Sequence, residues 1–157
     1  MLRHNAALMI NIKDPYAWIV SQFAWQYKKR RRETLGTPQK LPVTFKSNVL
    51  RRKVREYNGA YRNWMRLGVD TCIIRYESLF DDLGAALYEP MAKLLGVQPT
   101  GPMCEKLPDY DVWTDVGGVD KVYYPERHYF DLLTPTQIRQ ITDTVAWPLF
   151  EGIYEPV

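Results

Sequence analysis

Apolar positions fall in this chain as two short runs and three spaced stripes. The run ALMINI, residues 7–12, suits a buried parallel strand, and DTCIIRY, residues 70–76, suits a second. Asp14 can cap a helix after the first run, with Pro15 at the favoured first position. That helix is predicted over residues 15–29, with Tyr16, Ile19, Val20, Phe23 and Trp25 spreading apolar surface around it. Gly36, Pro38 and Pro42 mark a loop next. A helix over 47–67 follows, its core stripe being Leu50, Val54, Tyr57, Tyr61 and Trp64, with Arg51, Arg52, Arg55 and Arg62 on other faces. Gly68 ends it.

After the second strand, residues 77–97 have a helical pattern, with Pro90 as a break and Gly96 as a stop signal. Residues 98–120 are rich in Pro, Gly and Asp and read as irregular. Thr134-Pro135 opens a last helix with Ile138, Ile141 and Val145 facing the core, and Pro148 kinks or restarts it. Strands alternating with helices make this a single α/β domain over residues 1–157, a small parallel sheet flanked by helices.

Composition narrows the class. The 157 residues are 46% apolar and 25% charged, values of an ordinary globular chain. Eleven Tyr and five Trp suggest flat contacts in a core or cleft. No apolar run approaches the roughly 20 residues that span a bilayer, and the N-terminus reads as a strand and not a signal peptide. Cys72 and Cys104 lack metal-ligand spacing and read as free thiols in a reducing cytoplasm.

Charge is unevenly spread. The net is +3, yet residues 28–66 hold 13 Lys/Arg against Glu33 and Glu56, and the rest of the chain is acidic. KKRRR beside LRRKVR points to a polyanion, nucleic acid included, or to an acidic partner protein; a merely solvated face is the plain alternative.

Candidate chemistry gathers where the strands end. Lys13 stands at a strand's carboxyl end, where open α/β sheets bind ligands, and Ser21 follows eight residues later. The pair can grip one phosphate, Lys13 as a charge and Ser21 as a donor; a surface Lys and a packed Ser are the alternative. Arg75 and Glu77 end the second strand and can form an ion pair that organises nearby loops.

These segments resemble the P-loop sulfotransferases. KDPYAWIVSQF is similar to that family's 3′-phosphate-binding segment, and CIIRYESLFDD to its strand ending in Arg-Tyr-Glu-x-Leu, with Leu95-Gly96 finishing the next helix. YNGAYRNW resembles the preceding helix, and YYPERHYFDLLTPTQIRQITDTVAWPLFEGIYEP the C-terminal end. The resemblance implies sulfuryl transfer from 3′-phosphoadenosine-5′-phosphosulfate (PAPS) to a hydroxyl or amine, with Lys13 and Ser21 holding the 3′-phosphate. It also makes His4 a candidate general base, an exposed terminal histidine being the alternative; His128 is a weaker candidate.

One expected element is missing from these residues. None of the nine glycines forms a Gly-x-x-Lys-Ser/Thr loop after a strand, the cradle such enzymes use for the 5′-phosphosulfate. The expectation is therefore a truncated P-loop sulfotransferase-like domain. A sheet edge and apolar helix faces would be left open, inviting a homo-oligomer or a second chain that completes the sheet. A non-catalytic binding or structural component stays open as the second reading.

Overall fold

The computed structural model describes residues 7–31, 46–98, 100–101 and 127–157. Expectations for His4, Cys104, the 32–45 loop and the 102–126 stretch lie outside these residues, as do those for the side chains of Trp25 and His128. The described architecture is α/β. Strands β1 (Ala7–Ile12) and β2 (Asp70–Arg75) run parallel, accompanied by four helices: α1 (Pro15–Arg31), α2 (Ser47–Met65), α3 (Glu89–Leu95) and α4 (Pro135–Thr144). The register runs from Ala7 beside Asp70 to Ile12 beside Arg75. No helix among the described residues is long and apolar enough to cross a membrane.

Each strand is covered on one face only, a correction to the expectation of fully buried strands. Ile10 and Ile12 are buried in the main core with Tyr16, Ile19, Leu50, Val54, Ile141 and Phe150. Their register partners Ile73 and Arg75 share that face of the sheet but are exposed, Ile73 at 39%. On the opposite face the pattern reverses: Cys72 and Ile74 are buried, outside the main core, while Met9 is 47% exposed. The sheet thus lies between two separate apolar layers, each set against a different strand.

The helices follow their stripes with local departures. Tyr16, Ala17, Ile19 and Val20 of α1 are buried, as its apolar girth requires. In α2 the buried stripe is Leu50, Val54, Tyr57 and Tyr61, whereas Trp64 remains 43% exposed near the helix end. The stretch 77–96 is not one helix broken by Pro90. It divides into a 3-10 turn (Glu77–Phe80), a π-helical turn (Gly84–Tyr88) and α3, in whose first turn Pro90 sits. The first break falls at Asp82, whose carboxylate accepts from the Ala85 N–H (3.0 Å) and starts a new helical segment. Pro90 lacks the N–H that would serve a carbonyl one turn earlier, within the π-helical turn. Gly96 takes the left-handed φ of 64° that stops α3. Thr134 and Gln137 cap α4 reciprocally, and Trp147–Leu149 restart the chain as a 3-10 turn around Pro148.

Candidate functional site

The turn from β1 into α1 is held by phenols arriving from distant parts of the chain. Tyr61 of α2 donates to the carbonyl of Asn11 (3.3 Å) and Tyr57 to that of Lys13 (2.6 Å). The carbonyl between them, Ile12, faces β2, accepting from the Tyr76 N–H (2.8 Å) and lying 2.8 Å from the Tyr154 hydroxyl. Alternate carbonyls of a parallel strand point to opposite sides, so the Asn11 and Lys13 oxygens face away from β2. Two phenols of α2 therefore take the outward acceptors at the carboxyl end of β1. At these two carbonyls the outer edge of β1 is covered by α2.

Asp14 and Glu77 complete the turn. The Asp14 carboxylate accepts from the N–H groups of Tyr16 (2.8 Å) and Ala17 (3.3 Å), the predicted helix cap. Glu77 accepts from the Asp14 N–H (2.9 Å) with one oxygen and approaches the Tyr154 hydroxyl with the other. Among the described residues Glu77 makes no ion pair with Arg75, which corrects the expectation for that pair. The strand ends at Arg75 and Glu77 opens a 3-10 turn, so the carboxylate swings inward to the β1–α1 turn. The Arg75 guanidinium instead lies over the Tyr154 ring, 5.1 Å from its centre.

Lys13 and Ser21 face different surroundings. Half-buried Lys13 holds its ammonium 4.6 Å from the centre of the Tyr76 ring. Burial lowers its pKa from 10.5 to about 8, against the upward pull of Glu77 and Asp14. The Ser21 hydroxyl donates to the Trp18 carbonyl of its own helix (2.8 Å). Its oxygen keeps acceptor capacity, but the proton a phosphate would use is engaged within α1. The first free N–H groups of α1 are likewise engaged by Asp14, so an anion at this turn meets side chains and not an open helix end.

Beside the turn lies a polar cavity of about 120 Å³. Asp14, Glu77, Tyr129 and Tyr154 line its inner wall, and Arg75, Ser78, Asp81 and Arg127 its mouth. Arg127 adopts a left-handed φ of 57°, rare for a residue with a side chain. Sequence reasoning missed Tyr76, Tyr129 and Tyr154; a lone tyrosine 142 residues from its acceptor leaves no local signal. Among the described residues no group of His, Cys, Asp or Glu could hold a metal ion.

Burial raises the pKa of Asp14 above 3.8, and the neighbouring Glu77 charge adds to it. The folded form then holds more protons than the unfolded one between 3.8 and the raised value. Stability contributed here is greatest in acid and declines as pH rises through that window. Asn keeps the capping oxygen without the charge. Asp14→Asn is therefore expected to match wild type near pH 4 and to exceed its stability at neutral pH. Urea melts at both values check this; a constant difference between the two proteins would contradict it.

Comparison with protein-family models, with curated proteins and with solved structures finds no match for this chain.

Proposed function

We propose that this chain is a sulfotransferase-like domain that binds the 3′-phosphate end of PAPS at the β1–α1 turn. The observation that supports it best is the position of Lys13. A partly desolvated ammonium stands at the carboxyl end of a parallel strand, beside the Tyr76 ring. An ammonium already stripped of some water binds a phosphate with less desolvation still to come. Ser21 is the second contact in this reading, and phosphate binding would require its hydroxyl to turn from the Trp18 carbonyl. The reaction class is sulfuryl transfer to a hydroxyl or amine, with His4 as the candidate base and the 5′-phosphosulfate cradle supplied by residues other than these 157.

A non-catalytic, sulfotransferase-derived binding component is the second reading. It is favoured by the engaged Ser21 proton.

Calorimetry with 3′-phosphoadenosine-5′-phosphate tests the nucleotide site. Micromolar binding is expected, weaker for adenosine 5′-monophosphate, which lacks the 3′-phosphate. Lys13→Ala with Ser21→Ala should reduce affinity about 30-fold, the loss of charge-assisted hydrogen bonds. Because the Lys13 pKa is about 8, affinity should fall as pH rises past that value, and Lys13→Arg should remove the decline. No heat of binding with the folded wild-type chain would overturn the site.

A further inference from the structure

One flank of α2, extended by its C-terminal cap Arg66, carries a ridge of arginines with regular spacing. Arg51, Arg55, Arg62 and Arg66 are all exposed and follow one another at intervals of four, seven and four residues. At about 100° per residue these intervals bring all four within a stripe about 60° wide. The buried stripe Leu50, Val54, Tyr57 and Tyr61 occupies a different side of the helix. The ridge is therefore fixed in direction by the core and lies on a different side of α2 from the phenols that hold the β1–α1 turn.

Its charges are not neutralised along the helix. The only carboxylate in α2, Glu56, pairs with Arg52 and Lys53, which lie off the ridge. Among the described residues none of the four ridge arginines makes an ion pair. All four are Arg and none is Lys, the choice that suits bidentate contact with phosphate oxygens.

The spacing selects among polyanions. Arg51 with Arg55 forms one pair and Arg62 with Arg66 another, their centres about 16 Å apart along a helix rising 1.5 Å per residue. Between the pairs the two positions nearest the stripe are Gly59, which has no side chain, and Asn58, whose side chain is buried and bonded to the Thr144 carbonyl and the Ala146 N–H. The major groove of B-form DNA is about 12 Å wide, and the phosphate groups on its rims widen that span. Two arginine pairs with no exposed side chain on the ridge between them match two phosphate rims with a groove between them. We infer that α2 is a docking surface for double-stranded DNA, lying across the major groove with one arginine pair on each rim. Contacts of this kind position a protein on the backbone without reading sequence.

Fluorescence anisotropy of the full chain with a labelled 20-base-pair DNA duplex, over a range of salt concentrations, tests this. Each phosphate contact contributes about −0.9 to the slope of log affinity against log salt. The variant Arg51→Gln/Arg55→Gln/Arg62→Gln/Arg66→Gln should therefore lose about 3.6 from the magnitude of the slope, and off-ridge Arg52→Gln should lose none. Circular dichroism verifies folding; should the fourfold variant not fold, each single variant should lose about 0.9. An RNA duplex of equal length, whose major groove is deep and narrow, should bind more weakly. Four results would overturn the inference: an unchanged slope in the ridge variants, RNA duplex binding as tight as DNA, binding of heparin but not DNA, or no binding of either.

Discussion

Glu77→Ala will lower the unfolding free energy by about 3 kcal/mol, while Glu77→Gln will change it by less than about 1 kcal/mol. Glu77 is 7% exposed, and its two oxygens serve the Asp14 N–H and the Tyr154 hydroxyl. Alanine leaves a buried amide without its acceptor and opens a space between β2 and the C-terminal segment. It also frees the Lys13 charge from one of its two acidic neighbours. Glutamine can keep every contact. Its oxygen accepts from Asp14, and its NH₂ can donate to the Tyr154 oxygen. The Tyr154 proton, now shared between Ile12 and Glu77, can then go wholly to the Ile12 carbonyl. Asp14 also loses the like charge that helps raise its pKa. Chemical denaturation of both variants separates the hydrogen-bonding role from the charge. Equal losses in the two would sink this account.

Phe150→Ala is expected to cost about 3–5 kcal/mol, the range for truncating a buried aromatic side chain. Phe150 is fully buried, with its ring centre 5.2 Å from Tyr57 and 5.7 Å from Tyr61. Those are the phenols that hold the carbonyls of Lys13 and Asn11. The cavity left by alanine would sit directly behind them, so the damage would extend from stability to the shape of the β1–α1 turn. Phe150→Leu, which fills most of the volume, should lose less than half as much. Denaturant midpoints at constant slope measure both; a cost below about 1 kcal/mol for Phe150→Ala would show that the core closes over the gap.

The elements were legible where a local rule decides them. Two apolar runs of strand length gave β1 and β2, Asp14-Pro15 gave the start of α1, and Thr134-Pro135 with Gln137 gave the start of α4. Lys13 was legible as a residue at a strand's end. What could not be read locally was which partner each residue would meet. Arg75 and Glu77 looked like a pair because opposite charges stand close together at a strand's end, but the strand stops at Arg75 and the chain turns Glu77 toward Asp14. The half-exposure of each strand depends on which helices lie against which face, and no periodicity reports that. Ser21 sits at the expected spacing, yet its hydroxyl has an acceptor in its own helix, as serines within helices commonly do.

The two phenols on the outward carbonyls of β1 have a consequence for the protein in concentrated solution. An exposed strand edge is a template on which another chain can add a strand, and sheets generally blunt it with lysine, proline or a bulge. Here side-chain hydroxyls from α2 occupy the acceptors that an incoming strand would need, at Asn11 and Lys13. β-Aggregation through the carboxyl half of β1 therefore first requires α2 to peel away. Resistance to aggregation at that edge is tied to the docking of one helix.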